Sequence, residues 1–357
     1  GASVYSELGF AGSLLRPETP VLAITGTNGK STVTSFCAQL LRAAGWKVFS
    51  GGNLGVPLSE AVGHKWDVVV VEVSSYQMEL PNGFVPDIAA VLNLSPDHLA
   101  RHGDMATYAA HKMQLLKQLK ESGVGVLPLA DEYLDQEVHE LGCERVYRLD
   151  SPGSVHLEGS HARVLGEVLD LSGLAAPGEL NRWNAAVAGF LVRLVGLPHG
   201  SVVLESLVAL DHRMQPVESA GPVRWINDSK ATNVEATVAG VSGLDGRVWL
   251  LLGGQGKEGA DYSALRTLSG APVEQFVVFG EAADDISTAL EGLPLSRHPG
   301  LAAAVEWVGD LAEEGVLAVL SPACASFDEF ENFSHRGDVF QELVQASSSG
   351  RTLRRSG

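Results

Sequence analysis

The segment Thr25–Thr32, with the sequence TGTNGKST, combines glycines, a lysine and hydroxyl side chains at a spacing suited to binding phosphate. The apolar run Val21–Ile24 before it predicts a buried strand, and apolar residues at helical spacing follow it. Gly26 and Gly29 allow a tight turn whose N–H groups face inward, and the start of the helix adds partial positive charge. This strand–turn–helix context predicts a phosphate-binding loop.

The polar side chains of this loop could complete a nucleotide site. Lys30 could reach the β- and γ-phosphates, and the hydroxyl of Ser31 or Thr32 could hold Mg²⁺. The loop does not match the pattern GxxxxGK[ST], because Ile24 stands where that pattern has its first glycine. A chance glycine turn with a surface lysine is the alternative, but the strand before and the helix after the loop favour phosphate binding.

Two further polar groups follow predicted strands of the same sheet. Glu72 lies near the end of the apolar run Asp67–Val73, and Asp97 and His98 follow the strand predicted over Asp87–Asn93. Ligands of open α/β sheets bind at the carboxyl ends of the strands. Glu72 could therefore hold a metal near the phosphate loop, or be a solvated acid. His98 could be a metal ligand, a phosphate contact or a surface residue, and the two groups together favour Mg²⁺ binding.

Two basic residues have an ordinary interpretation beside any functional one. Lys112 lies within the helix predicted over Thr107–Leu119 and has the pattern of an ordinary helix lysine. Arg213 lies at the domain boundary predicted at Leu210–Pro216, where it could clamp a phosphate or simply face solvent.

Three polar turns follow predicted strands in the second half of the chain, within Trp225–Asn233, Leu252–Lys257 and Ser321–Phe333. The first gathers hydroxyl, carboxylate and ammonium groups at one helix start, although Asp228 could be only an N-cap. Lys257, in the second turn, could bind a carboxylate or a phosphate. Three such turns at strand ends of one domain favour a single facing site over scattered surface.

The order of the predicted elements indicates an α/β fold, because strand–helix–strand units repeat in both halves. We expect a P-loop-type, mostly parallel central domain at residues 16–210, followed by a smaller Rossmann-like α/β domain at residues 211–345. Residues 154–171 alternate in polarity and predict a small antiparallel patch, and residues 201–210 have a helical pattern. The Ser-rich, basic segment 346–357 is predicted to be disordered.

Composition excludes several classes of function. The chain has 357 residues, with 25 basic and 43 acidic side chains and a net charge of −18, so nucleic acid and anionic membranes are poor partners. The three cysteines form no pair with metal-ligand spacing, which indicates a reducing, cytoplasmic compartment. The start of the chain does not resemble a signal peptide, and no apolar stretch is long enough to predict a membrane span.

Together these motifs resemble the Mur ligases of peptidoglycan synthesis. The resemblance runs in order from about Gly1 to about Val344 and is carried by Thr25–Thr32, Glu72, Asp97-His98, Lys112, Arg213, Asn227–Asn233 and Ser321–Ser326. No single motif decides it, but their number and order make chance a poor explanation. The last two segments are most similar to the branch of the family that adds D-glutamate.

The resemblance implies an ATP-dependent amide ligase that adds D-glutamate to the L-alanine carboxylate of UDP-N-acetylmuramoyl-L-alanine through an acyl phosphate. It further implies ATP as co-substrate, two Mg²⁺ ions, small-molecule substrates and a monomer. A sister ligase adding another amino acid and a folylpolyglutamate-type synthetase are alternatives. A nucleotide-binding regulatory switch is a third, but a switch does not need the second pocket that the three turns predict.

The resemblance also implies roles for individual residues. The implied catalytic residues are Lys30, His98 and Lys112. Lys112 matches a carbamylated lysine of the family, and the oxygens of a carbamate can hold a hard cation. The implied metal ligands are Ser31, Thr32, Glu72, His98 and Lys112. The implied ATP contacts are Gly26, Thr27, Asn28, Gly29, Lys30, Ser31, Thr32, Asn184 at adenine, Arg213 at phosphate and Asp228 at ribose. The implied substrate contacts are Asn53, Lys230, Thr232, Lys257, Ser326, Phe327 and Phe333.

Three features depart from the family pattern. Leu180-Asn181 stands where many relatives have His-Asn, and Phe327 stands where Leu is also found. The phosphate loop begins at residue 25, whereas family members carry a uridine-diphosphate-binding domain before it. We therefore expect this chain to lack that domain, and we expect residues 1–15 to be its remnant and a linker.

Overall fold

The computed structural model describes residues 4–138, 141, 145–174, 178–204, 207–257 and 259–354. The chain divides into two compact units. The first unit comprises Gly1–Ala175 and Arg182–Val208, and the second comprises Ala176–Asn181 and Ala209–Gly357. The described residues 178–181 were not expected to belong with the second half of the chain.

The first unit is built on a six-stranded sheet that is parallel throughout. Its strands are β1 (Val21–Thr25), β2 (Val48–Gly52), β3 (Val68–Glu72), β4 (Ile88–Val91), β5 (Val124–Leu127) and β6 (Arg145–Arg148). Their spatial order is β2-β3-β1-β4-β5-β6. The strands β1, β3 and β4 are buried along their whole length, as their continuous apolar runs predict for a sheet covered on both faces.

Helices connect and cover these strands. They are α1 (Glu7–Leu14), α2 (Lys30–Ala43), α3 (Leu99–His102), α4 (Met105–Lys117), α5 (Glu132–Glu137) and α6 (Glu179–Val195), with 3₁₀ helices at Leu58–Ala61 and Gln77–Glu79. Helix α1 packs into the core of this unit, because its Leu8 and Ala11 are buried in the same cluster as Phe84. The hydroxyl of Ser6, the N-cap of α1, donates to the Leu80 carbonyl.

A small antiparallel sheet interrupts the α/β pattern, as predicted. It consists of β7 (Val155–Glu158), β8 (His161–Val164) and β9 (Glu167–Asp170). The helix predicted over residues 201–210 is wrong, since the described part of that segment contains no α-helix. Leu204 and Leu207 are both buried there, and the Leu207 N–H donates to the Leu204 carbonyl. Two buried leucines three residues apart thus imitated a helical pattern.

The second unit has its own six-stranded sheet, in the order β10-β11-β15-β12-β13-β14. Only the pairing of β10 with β11 is antiparallel. The strands are β10 (Gln215–Val217), β11 (Arg224–Asn227), β12 (Arg247–Gly253), β13 (Val273–Phe279), β14 (Leu295–His298) and β15 (Val316–Leu320). The helices are α7 (Val234–Val241), α8 (Ala283–Ala289), α9 (Leu301–Leu311) and α10 (Phe333–Arg354), with a 3₁₀ helix at Tyr262–Leu268. Apolar clusters lie on both faces of this sheet, which confirms the predicted fold class.

The end of the described chain differs from its prediction. Helix α10 continues to Arg354, across most of the segment 346–357 that was expected to be disordered. Phe340 and Val344 anchor the helix in the core, and a helix that has begun extends one hydrogen bond at a time without a new nucleus. Across the described residues, no helix is both long enough and apolar enough to cross a bilayer.

Candidate functional site

The phosphate loop predicted from the sequence connects β1 to α2. Gly26 has a φ of 151° and Gly29 a φ of 82°, both in the region that favours glycine. A Cβ on Gly26 would lie 3.1 Å from Leu92 Cβ, so the loop passes close to the chain that leaves β4. Gly29 is the N-cap of α2, and a Cβ there would lie 2.9 Å from Asn184 Oδ1. The predicted adenine contact Asn184 therefore lies beside this loop.

Two lysines converge on one carbonyl oxygen of the loop. Lys30 Nζ donates to the Gly26 carbonyl at 2.8 Å and to the Thr27 carbonyl at 2.7 Å. Lys112 Nζ donates to the same Gly26 oxygen at 2.7 Å and lies 4.4 Å from the centre of the Tyr108 ring. Burial, and then the nearby Lys30 charge, hold the pKa of Lys112 well below its ordinary value. The helix lysine is thus a buried amine at the phosphate loop.

Glu72 lies next to this loop because β3 pairs with β1, with Glu72 opposite Ile24. Its carboxylate is almost fully buried, and Oε1 accepts a 2.7 Å hydrogen bond from Asn53 Nδ2. The other oxygen, Oε2, is buried and has no hydrogen-bond partner within the part of the chain that is described. A buried carboxylate oxygen without a donor suits a hard cation.

The remaining predicted metal ligands differ in their exposure. Ser31 and Thr32 are buried in the first turn of α2. His98 has a φ of 55°, is 46% exposed, and its Nε2 lies 3.5 Å from a carboxylate oxygen of Asp97. Over the described residues, no three His, Cys, Asp or Glu side chains form a group arranged to hold a metal. A cation here would therefore depend on Glu72 together with hydroxyl and other ligands.

The second unit carries the other predicted residues, beginning with Asp228 at the end of β11. Asp228 Oδ2 accepts from Ser321 Oγ at 2.7 Å, and Oδ1 accepts from the Met214 N–H at 3.2 Å. Burial raises the pKa of Asp228 to about 7, against the opposing effects of these hydrogen bonds and of the Arg213 charge. Arg213 lies between His212 and Met214, whose φ values of 60° and 45° are unusual for residues with side chains.

The predicted amino-acid residues are only partly brought together. Lys230 Nζ lies 3.9 Å from the centre of the Phe333 ring, so these two are in contact. Ser326 is buried, whereas Phe327 is 66% exposed. The exposed Lys257 borders an open cavity of about 610 Å³ that is also lined by acidic and hydroxyl side chains. Thr232 is half-buried in the segment between β11 and α7.

Arg336 is a residue that the sequence analysis missed. It is fully buried near the start of α10 and ties together the three polar turns. Its guanidinium donates to Ser229 Oγ and to the carbonyls of Ser229, Cys324, Ala325 and Gly253. The signal was present, because Arg336, Phe340 and Val344 are four residues apart and share one helix face.

Comparisons with known proteins identify the family of this chain. The Mur ligase middle domain matches residues 24–167, and the Mur ligase glutamate ligase domain matches residues 212–324. The chain belongs to the Mur ligase family. It is 39% identical to the UDP-N-acetylmuramoylalanine–D-glutamate ligase of Desulfotalea psychrophila, over 96% of this chain and 77% of that protein. It is 38% identical to the ligase of the same name from Myxococcus xanthus, over 97% of this chain and 79% of that protein. This Mur family member is therefore an enzyme, a ligase.

Solved structures share its fold. The MurF ligase of Thermotoga maritima, in complex with ADP, has a TM-score of 0.74 at 18% identity, over 97% of this chain and 84% of that one. A bifunctional folylpolyglutamate synthase/dihydrofolate synthase of Yersinia pestis has a TM-score of 0.69 at 19% identity, over 94% of this chain and 92% of that one. At these identities the likeness shows the fold alone, which this Mur ligase shares with both.

Proposed function

We propose that this Mur ligase uses ATP to join D-glutamate to the L-alanine carboxylate of UDP-N-acetylmuramoyl-L-alanine, as a monomer in the cytoplasm. The observation that carries the proposal is the identity of 35 to 39% to D-glutamate ligases along nearly the whole chain. In the proposed reaction the substrate carboxylate takes the γ-phosphoryl group of ATP and ADP leaves. The amine of D-glutamate attacks the acyl phosphate, and phosphate leaves as the amide forms.

Residues of the first unit are proposed to bind the phosphates of ATP. Lys30 is hydrogen-bonded to carbonyls of the loop, and its ammonium is proposed to exchange one of them for a phosphate oxygen. The loop Gly26–Thr32 is proposed to surround the phosphates, with Asn184 at adenine. In the second unit, Asp228 is proposed to accept from ribose hydroxyls, a role suited to a carboxylate already held by a serine hydroxyl. Arg213 is proposed to contact a phosphate.

Two Mg²⁺ ions are proposed to be held by Ser31, Thr32, Glu72, His98 and a carbamate on Lys112. Such ions neutralise charge on the transferred phosphoryl group when they are bound. The buried Oε2 of Glu72, which has no hydrogen-bond partner among the described residues, supports this assignment. The lowered pKa of Lys112 supports the carbamate, because the neutral amine is the form that reacts with carbon dioxide. A carbamate would also remove the like-charge repulsion between Lys112 and Lys30.

The acceptor amino acid is proposed to bind in the second unit. Lys230, held against Phe333, and Lys257, at the rim of the open cavity, supply positive charge for its carboxylates. Thr232, Ser326 and Phe327 are the other proposed contacts. Asn53 is proposed to contact the uridine-linked substrate, and its present bond to Glu72 would link that contact to the metal site.

The test is amino-acid-dependent release of ADP. The protein would be given Mg-ATP and UDP-N-acetylmuramoyl-L-alanine, with D-glutamate, L-glutamate, L-lysine or diaminopimelate added in turn. Release only with D-glutamate, with the amide product seen by mass spectrometry, is expected. Release only with another amino acid would make the protein a sister ligase. Nucleotide-dependent partner binding without release would favour a regulatory switch.

The variant Lys257→Ala locates the amino-acid site within the same assay. It should raise the KM for D-glutamate by about tenfold or more, because one charge-assisted contact is lost, and leave the KM for ATP nearly unchanged. An unchanged KM for D-glutamate would remove Lys257 from that site. Replacing the exposed Lys65 by alanine provides a matched loss of charge in the first unit.

A further inference from the structure

Asn93, in the segment that leaves β4, is bonded to the phosphate loop through its side chain. Its Oδ1 accepts from the N–H groups of Thr27 at 3.1 Å and Asn28 at 2.9 Å. Its Nδ2 donates to the Asn28 carbonyl at 3.0 Å. Both ends of one amide are therefore used on consecutive residues of the loop, in a reciprocal arrangement that few other side chains could make.

Thr27 completes a second set of bonds in the opposite direction. Its hydroxyl donates to the Ser95 carbonyl at 3.1 Å and accepts from the Ser95 N–H at 3.0 Å. The Thr27 N–H also donates to the Asn93 carbonyl. We call these contacts between residues 27–28 and 93–95 the Asn93–Thr27 bracket. The bracket joins the phosphate loop to the segment that carries His98 three residues later.

The bracket has a consequence for nucleotide binding. A glycine-rich phosphate loop usually presents successive backbone N–H groups to the ligand. Here the N–H groups of Thr27 and Asn28 donate to Asn93 Oδ1, so in this arrangement they are already engaged within the protein. What the bracket fixes instead is the direction in which the loop enters α2, since Gly29 and Lys30 follow at once.

We propose that Asn93 is a positioning residue for phosphate binding: it holds the first half of the loop in the Asn93–Thr27 bracket, so that the N-terminus of α2 and Lys30 meet the β- and γ-phosphates. The inference rests on the proposed function, because it takes the loop as an ATP site. In this proposal Asn93 acts through the loop, because both ends of its amide are bonded to residues 27 and 28. Its effect should therefore appear only with nucleotides that have phosphates at the loop.

Equilibrium binding of Mg-ATP, Mg-ADP and AMP provides that distinction. Asn93→Ala should weaken ATP and ADP by about tenfold or more, the effect of losing one or two hydrogen bonds that hold a binding loop. AMP lacks the β- and γ-phosphates, and its affinity should stay within about twofold. Asn82→Ala, at an exposed asparagine of the same unit, should alter none of the three affinities.

Two further variants keep the test sharp if Asn93→Ala folds poorly. Asn93→Asp has the same shape but cannot donate to the Asn28 carbonyl, and should show the same selective loss. Thr27→Val removes the hydroxyl that bonds to Ser95 and should do likewise, whereas Thr27→Ser restores the hydroxyl and should bind nearly as the natural protein does. Thermal unfolding without nucleotide identifies any variant that is simply unfolded.

Three results would overturn the proposal. Equal weakening of ATP, ADP and AMP in the Asn93 variants would show a general structural role. An unchanged preference for ATP over AMP would show that Asn93 does not position the loop. A natural protein that binds ATP no better than AMP would instead remove the phosphate site itself, and with it the proposed function.

Discussion

The two units hold their candidate site residues in opposite ways. In the first, Lys30 and Lys112 share one carbonyl oxygen, and a buried oxygen of Glu72 has no hydrogen-bond partner among the described residues. In the second, the fully buried Arg336 is surrounded by acceptors from the three polar turns, including Ser229 and Cys324. The first cluster brings two lysine amines to one acceptor, whereas the second surrounds one buried guanidinium with several acceptors.

The difference separates residues that serve a ligand from residues that serve the fold. Converging like charges lower the stability of the fold, and so does a buried carboxylate oxygen without a donor. A ligand that brings the opposite charge relieves this cost when it binds. A buried guanidinium with its acceptors in place stabilises the turns that it joins, provided that none of them is removed. Substitutions in the first unit should therefore affect binding, and those at Arg336 should affect stability.

The largest effect is expected at Lys30. Lys30→Ala should reduce ATP-dependent ligation by about a hundredfold to a thousandfold, as expected when a group that stabilises transferring charge is lost. Its free energy of unfolding should fall little or rise slightly, because a like charge beside Lys112 is removed. Steady-state kinetics together with urea unfolding measure both quantities on the same preparation.

Lys47→Ala is the control, since Lys47 packs on Trp66 away from the loop. It should keep its ligase activity. Activity of Lys30→Ala close to that of the natural protein would end the phosphate-loop assignment, and a large loss of stability would erase the proposed contrast between the units.

Arg336 should show the reverse behaviour. Arg336→Ala leaves several buried carbonyls without a donor, and should cost about 3 to 5 kcal/mol of unfolding free energy. Arg297 is a matched control, because it is half-exposed and its ion pair with Asp284 lies at the surface. Arg297→Ala should cost less than about 1 kcal/mol by urea unfolding. Similar costs for the two variants would mean that the second unit does not depend on Arg336.

This contrast was only half visible in the sequence. The glycine turn, Lys30 and Glu72 could be predicted because a short motif and a strand end fix their positions locally. Arg336 could not be assigned in the same way, since its partners are about 10 to 110 residues away in the chain. The role of Asn93 was missed for a related reason. Its amide contacts residues 65 and 66 positions earlier, and only the pairing of β1 with β4 brings them together.

Lys112 illustrates the limit of residue type. In the sequence it has the pattern of an ordinary helix lysine, and only the family resemblance suggested otherwise. The fold shows that Lys112 is not an ordinary surface lysine, because α4 buries its side chain and directs Nζ to the Gly26 carbonyl. The predicted α/β fold class needed no such detail, because continuous apolar strands alternating with helices determine it. The helix predicted over residues 201–210 was wrong because two buried leucines are too few to define a period.

Asp228 gives the next effect, through pH. Its pKa of about 7 in the folded protein exceeds the ordinary value of 3.8, so the folded state keeps a proton that the unfolded state releases. Its contribution to stability is thus fully present below about pH 4 and is lost as pH rises through about 7. Asp228→Asn lacks this titrating group. The difference between its free energy of unfolding and that of the natural protein should therefore rise, in favour of the variant, by about a few kcal/mol between pH 4 and pH 7.

Urea unfolding at several pH values from 4 to 8 measures this difference directly. Parallel curves for the natural protein and Asp228→Asn would mean that Asp228 titrates normally. Such a result would mean that hydrogen bonds such as the one from Ser321 offset the effect of burial on Asp228. Asp228 would then resemble Arg336, whose burial is also matched by hydrogen bonds.

The smallest effect concerns a glycine that lets His212 approach α10. A Cβ on Gly337 would overlap the His212 ring, whose Nδ1 is 3.1 Å from Asn227 Nδ2. Gly337→Ala should therefore cost about 1 to 3 kcal/mol by overpacking, although alanine is the better helix former. At Gly309, inside α9, a Cβ would meet only Ser347 at 3.7 Å, an ordinary contact.

Gly309→Ala should accordingly stabilise the protein by up to about 1 kcal/mol. The two substitutions should thus shift the unfolding midpoint in opposite directions, although both replace a helical glycine by alanine. If Gly337→Ala also stabilised the protein, His212 would have room to move. The turn around Arg213 would then be adjustable, unlike the three polar turns that Arg336 joins.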